Sequence, residues 1–134
     1  RILFVDDDEA VLRFAELALP RLGFTVSLYK EAQPALAAFQ RAPRQFDLVI
    51  TDLIMPGITG DLLSRSLTSI RPDIPIILFT GYSNQFQVDQ FTAAGVASVL
   101  IKPISVNDLI TEIRRVMDEH RAAAEHESET KQDR

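Results

Sequence analysis

Four short apolar runs, Ile2–Val5, Leu48–Ile50, Ile74–Phe79 and Val99–Ile101, constrain this chain more than any other feature. Each is continuous, where a strand with one wet face would alternate. That pattern suits strands covered on both faces, as in a parallel sheet. A fifth candidate strand, Phe24–Leu28, is more mixed in composition.

Helical patterns fill the spaces between the runs. Val11, Phe14, Ala15 and Ala18 recur at the spacing of one helix face, with Pro20 marking the end. Ala32, Ala35, Leu36 and Phe39 repeat that spacing, and Pro34 is tolerable in a first turn. Leu63, Leu67 and Ile70 form a third stripe, opened by Thr59 and Gly60 and closed by Pro72. A fourth helix is expected over Asn84–Ala94, with Val88 and Phe91 inward and Gly95 as its stop. In the fifth, Ser105 and Asp108 resemble a capping box, and Leu109, Ile113, Val116 and Met117 share one face. The order is β-α five times over, which predicts a parallel sheet between helices with right-handed crossovers.

The bulk properties narrow the function. A length of 134 residues suits one domain with a single sizeable core. A net charge of −5 and no basic stripe argue against direct contact with nucleic acid or an anionic membrane. The absence of cysteine excludes disulfides, thiolate-bound zinc and thiol chemistry, and fits a reducing cytoplasm. No apolar run approaches the roughly 20 residues of a membrane helix. The start at Arg1, with no methionine, is expected of a piece cut from a longer polypeptide. We expect one domain over residues 1–119, and over 120–134 a charged helix extension or linker, with Ala122–Ala124 as helix formers.

In open α/β sheets, functional groups collect beyond the carboxyl ends of the strands. Those positions hold Asp6, Asp7 and Asp8 after the first strand and Asp52 after the third. Thr80 and Gly81 follow the fourth, and Lys102 and Pro103 follow the fifth. Asp6, Asp7 and Asp52 together make a concentrated negative site suited to a hard divalent cation. Mg²⁺ is the better fit, with Mn²⁺ as the alternative, because Mg²⁺ takes one or two carboxylates and keeps several waters. Lys102 is a compact cation able to pair with Asp52 or with a phosphoryl group attached to it. The Thr80 hydroxyl and the backbone N–H beside Gly81 can donate to phosphoryl oxygens. Metal, lysine and fixed donors equip the site for phosphoryl transfer to a carboxylate nucleophile. Asp8 and Glu9 read as ordinary acidic residues of a helix start.

Four segments, "ILFVDDDEA", "FDLVITDLIMPGITG", "IILFTGYS" and "VLIKP", stand in an order and spacing that resemble the receiver domains of two-component response regulators. The resemblance covers Arg1 to about Glu119. It implies an α/β, flavodoxin-like, doubly wound five-stranded parallel sheet of order 2-1-3-4-5 with five helices. It further implies that Asp52 accepts phosphate from a phosphohistidine on a histidine kinase or histidine phosphotransfer domain. Asp6, Asp7, Asp52 and the backbone carbonyl of Ile54 would hold the metal, and Lys102 and Thr80 would contact the phosphoryl group. The face of the fourth helix, fifth strand and fifth helix often pairs in this family, which implies a homodimer surface. One position departs from the pattern: Val99 occupies the place, three residues before the lysine, where the family often carries Tyr or Phe. Tyr82 is the candidate to carry the conformational response instead. "FTGYS" and Val99 bring the chain nearest to the receivers of hybrid histidine kinases.

Rival readings are a degenerate interaction module that takes no phosphate, towards which only Val99 leans, and a small-molecule phosphatase. The phosphatase would need a second carboxylate two residues after its nucleophile, where Ile54 stands. A flavin site is disfavoured because aspartates occupy the loop after the first strand. His120 and His126 read as exposed, solvated histidines. Phe86 reads as a partly exposed residue of the fourth helix, a candidate partner surface. Gly57 and Gly60 read first as turn residues.

Overall fold

The computed structural model describes the backbone of residues 1–81 and 85–132 and the side chains of residues 1–81 and 89–126. In chain order the elements are β1 (Ile2–Val5), α1 (Glu9–Arg21), β2 (Val26–Tyr29), α2 (Ala32–Arg41), β3 (Leu48–Asp52), α3 (Gly60–Ile70), β4 (Ile76–Thr80), α4 (Gln85–Ala93), β5 (Ser98–Ile101) and α5 (Val106–Gln132). A short 3-10 turn, Pro43–Gln45, precedes β3. All strand pairs are parallel, in the order β2-β1-β3-β4-β5. The expected doubly wound fold is therefore the observed one.

The continuous apolar runs of β1, β3 and β4, buried along their whole length, are explained by this layering. Alternate residues of each central strand serve opposite faces of the sheet. Leu3, Val5, Val49, Ile76 and Leu78 pack with Ala35 and Phe39 of α2, Leu63 and Leu67 of α3, and Phe91 of α4. Ile2, Phe4, Ile50, Ile77 and Phe79 pack with Leu12, Ala15 and Leu19 of α1, and with Leu109, Ile113 and Val116 of α5. Phe4 meets Phe79 edge to face, with ring centroids 5.9 Å apart. Truncating one such residue, Phe39 for example, would cost about 3–5 kcal/mol in lost burial and cavity formation. β2 is an edge strand, half-buried throughout, with a mixed sequence. β5, the other edge, is half-buried to exposed although its run is apolar, so the expectation of cover on both faces does not hold there.

Several boundaries and phases differ from expectation. The buried face of α1 is Leu12, Ala15 and Leu19, with Val11, Phe14 and Ala18 only half-buried. Ile70 of α3 is exposed, while Ser64 is buried and donates to the Gly60 carbonyl at 2.7 Å. β2 begins at Val26 rather than Phe24, and β4 at Ile76 rather than Ile74. Pro75, just before β4, has no N–H to donate, but its carbonyl accepts from Val49 at 3.0 Å. Phe91 faces inward as expected, and Gly95 ends α4 with φ +93. The side chains of Tyr82, Phe86 and Val88 lie outside the described residues. The Ser105 cap is present, its hydroxyl accepting from Asp108 N–H at 3.1 Å. α5 continues well past its apolar face, which stops at Met117. Among the described residues, no helix is long and apolar enough to cross a membrane.

Candidate functional site

Each functional side chain is delivered by the end of a strand, buried in β1, β3 and β4 and half-buried to exposed in β5. β1 stops at Val5 and is followed directly by Asp6 and Asp7, β3 ends on Asp52, and β4 ends on Thr80. β5 releases the chain to Lys102, whose N–H donates to the Thr80 carbonyl at 2.8 Å. That bond ties the lysine's backbone to the end of the neighbouring strand. The helix that follows β1 starts with Asp8 as its N-cap, accepting from Ala10 N–H at 2.9 Å. Asp8 is therefore a cap, as the sequence indicated. Its own N–H donates to Asp6 Oδ1 at 2.9 Å and fixes that carboxylate.

Carboxylate oxygens of Asp6, Asp7 and Asp52 all lie within 4.8 Å of one another. Asp6 is fully buried, Asp52 nearly so, and Asp7 is exposed. Lys102 Nζ stands 3.2 Å from Asp6 Oδ2 and 3.3 Å from Asp52 Oδ1. Three carboxylates thus face one ammonium, and the excess negative charge calls for a further cation. Burial, then the charge of Asp6, raises the Asp52 carboxyl above its ordinary value, with Lys102 opposing the shift. Burial alone would lower the Lys102 ammonium, yet Asp6 and Asp52 together hold it above its ordinary value. Oxygen donors of this charge and spacing fit a hard divalent cation. Thr80 is buried at the end of β4, and Gly81 after it is exposed with open space above its Cα.

The sequence-derived residues Asp6, Asp7, Asp52 and Lys102 are thus brought together, with Thr80 on the adjoining strand. Ile54 lies two residues beyond Asp52, its side chain 73% exposed at the rim. Val99 is half-buried against the core layer of α2, α3 and α4. Two features escaped the sequence. A salt bridge joins Glu9 to Lys30 across the mouth of the loops, both side chains exposed. An apolar hollow of about 320 Å³ adjoins the cluster, lined by Val11 and Phe14 of α1, Phe79, and the Lys102–Pro103–Ile104 segment. The apolar Val11 and Phe14 in the first two turns of α1 were its sequence signal.

A family model of the response regulator receiver domain matches residues 2–114. The chain belongs to that family. Among receiver-containing relatives, it is 34% identical over 117 residues to the response regulator receiver protein CpdR of Brucella abortus, covering 87% of this chain and 96% of CpdR. It is 31% identical to the C4-dicarboxylate transport transcriptional regulatory protein DctD of Rhizobium meliloti, over 95% of this chain but 27% of DctD. With the sensor kinase CckA of Brucella abortus it shares 29% identity, over 87% of this chain and 12% of the kinase. The receiver therefore spans nearly all of one relative and a minor part of the others. A CheY-like receiver domain protein from Methanospirillum hungatei superposes with a TM-score of 0.85 at 29% identity, covering 92% of this chain and 97% of that one.

Proposed function

We propose that this receiver domain takes a phosphoryl group onto Asp52 from a phosphohistidine, on a histidine kinase or histidine phosphotransfer domain. The observation that carries the reading is the convergence of Asp6, Asp7, Asp52 and Lys102 at one sheet edge. An Asp52 oxygen forms the new O–P bond as the P–N bond to the donor imidazole breaks, and the departing ring nitrogen takes a proton. Lys102, held against Asp52 in the resting site, pairs with the arriving phosphoryl oxygens, and the Thr80 hydroxyl donates to them. Asp6, Asp7, Asp52 and the Ile54 carbonyl would hold Mg²⁺, with Mn²⁺ as the alternative. When bound, the ion supplies the positive charge that lets an anionic carboxylate meet an anionic phosphoryl group. The apolar hollow between α1 and the β5–α5 loop offers a donor's apolar side chain a seat beside the site.

The domain acts as a cytoplasmic signalling switch that assists its own phosphorylation, rather than as a turnover enzyme. Water later hydrolyses the acyl phosphate, and Ile54, exposed at the rim, together with Tyr82, two residues after Thr80 in sequence, sets its lifetime by limiting that water's approach. With Val99 at the usual aromatic position, the conformational response is either smaller or carried by another group. Residues 1–119 form the receiver, and residues 120–134 are a charged extension or linker, of which residues up to Gln132 continue the last helix. Ile101, exposed on β5, and Val106 at the start of α5 mark the face on which a second copy would pair.

Intact-protein mass after incubation with acetyl phosphate, with and without Mg²⁺, tests this reading beside an Asp52→Ala control. A single Mg²⁺-dependent adduct absent from the control is the expected result. If neither acetyl phosphate nor a phosphorylated histidine kinase gives an adduct, the chain is an interaction module of receiver fold.

A further inference from the structure

The backbone at the end of β3 is pinned more tightly than a strand end requires. Leu53 N–H donates to the Phe79 carbonyl of β4 at 2.8 Å, and Gly60 N–H donates to the Leu53 carbonyl at 2.7 Å. Between these two bonds lies a third, from the Thr51 hydroxyl to the Asp52 carbonyl at 3.0 Å. Thr51 is fully buried in the central strand of the sheet. A hydroxyl there is costly to bury unless bonded, and valine would fill the same space without that cost.

Gly60 closes on the same carbonyl. A Cβ at Gly60 would stand 2.2 Å from the Asp52 carbonyl oxygen, 2.8 Å from Leu78 Cδ1 and 2.9 Å from Leu53 Cα. Its φ is not in the left-handed region, so the close approach, and not the backbone angle, demands glycine. Neither residue belongs to the carboxylate cluster. Both act on the peptide that joins Asp52 to Leu53, directly between the acceptor carboxylate and the chain leading to the Ile54 carbonyl.

We infer that Thr51 and Gly60 are positioning residues, which hold the Asp52 carbonyl and thereby aim both the acceptor carboxylate and the Ile54 carbonyl. The inference rests on the assignment of Asp52 as phosphoacceptor. Small misplacements of reacting groups are costly in rate. The hydroxyl should therefore show in the chemistry and not only in stability.

The test compares Thr51→Val, which removes the hydroxyl at nearly constant shape, with Thr51→Ser, which keeps it. Adduct formation from acetyl phosphate is followed by intact mass across a Mg²⁺ titration, with circular dichroism reporting the folded fraction at the assay temperature. Thr51→Val is expected to react about ten-fold more slowly and to need more Mg²⁺ for half its maximal rate. Thr51→Ser should restore both values. Thr51→Ala serves as the second hydroxyl-free variant if valine prevents folding. A hydroxyl-free variant that is folded and reacts at the wild-type rate with the wild-type Mg²⁺ dependence overturns the inference, whatever its melting temperature. Wild-type protein that takes no phosphoryl group, even from a phosphorylated kinase, removes the assignment of Asp52 and this inference with it.

Discussion

Two charged clusters in this domain use the same ingredients and reach opposite states. On α5, Arg115 bridges Glu112 and Glu119, and Ser98 of β5 donates its hydroxyl to Glu112 at 2.7 Å. The Arg115 hydrogen bond, helped by Ser98, holds the Glu112 carboxyl below its ordinary value against the opposing effect of burial. At the sheet edge, Lys102 bridges Asp6 and Asp52, yet Asp52 is raised. The difference is solvent and stoichiometry. Arg115 is 45% exposed, with Glu119 open to solvent and Glu112 part-buried, and such surface pairs contribute about 0.2–1 kcal/mol. Asp6 and Asp52 are buried close together with a third acid beside them. The first cluster is at rest without a ligand, while the second is held in place by the rest of the fold and gains from whatever neutralises it.

The largest expected effect is of the missing charge itself. Mg²⁺ at a hundred times its dissociation constant should stabilise the domain by about 2.7 kcal/mol, measured by urea denaturation with the ion and with a chelator. Asp7→Asn should remove most of that gain, and a gain of equal size in both proteins would argue against the cluster as the binding site. Next comes Lys102→Met, which leaves Asp6 buried beside Asp52 with no cation. We expect a loss of about 2 kcal/mol at neutral pH, below the full cost of breaking a buried pair because Lys102 is part-exposed. The loss should shrink in an Asp52→Asn background, and strict additivity would break the account. Asp52→Asn alone should abolish the adduct yet raise the melting temperature in metal-free buffer, since burial and Asp6 both oppose that charge. A lower melting temperature would mean that Lys102 already outweighs them.

The smallest effect belongs to the resting cluster. Because the folded value of Glu112 is depressed, its contribution is present above the ordinary 4.5 and is lost as pH falls through the folded value. Glu112→Gln should therefore cost a few tenths of a kcal/mol at pH 7 and nothing once the pH lies below that folded value. A difference that persists unchanged into acid would assign the effect to packing.

Sequence patterns revealed the sheet because its central strands are covered on both faces, so burial alone dictates their composition. β2 was harder to see because its residues are mixed, whereas β5, equally an edge strand, carries an apolar run that half-burial does not demand. The site was legible for a related reason: strand ends are where the fold gathers side chains, so Asp6, Asp52, Thr80 and Lys102 follow from knowing where strands stop. What remained hidden depends on phase and contact. In α1, apolar residues at 11, 12, 14, 15, 17, 18 and 19 satisfy more than one helical stripe, so spacing could not choose Leu12 and Leu19 over Val11 and Ala18. Gly60 read as a turn residue, and Thr51 fell just past the apolar run Leu48–Ile50 with no signal of its own. Their meeting at the Asp52 carbonyl arises only when α3 folds back on β3. The length of α5 was only half legible: an extension of the helix or a linker fitted the charged end, because that part is helical by the propensity of Ala, Glu, Lys and Arg rather than by any apolar face.

That last helix has a mechanical consequence. It begins four residues after Lys102 and is anchored by Leu109, Ile113 and Val116, whereas Arg121 to His126 are exposed. From Met117 to Gln132 it extends about 22 Å. A rotation of about 10° at the anchored turns would carry its far end through about 4 Å. An adjustment too slight to register as a new packing arrangement near the site thus becomes, at the other end of the rod, a displacement comparable to the spacing between neighbouring strands.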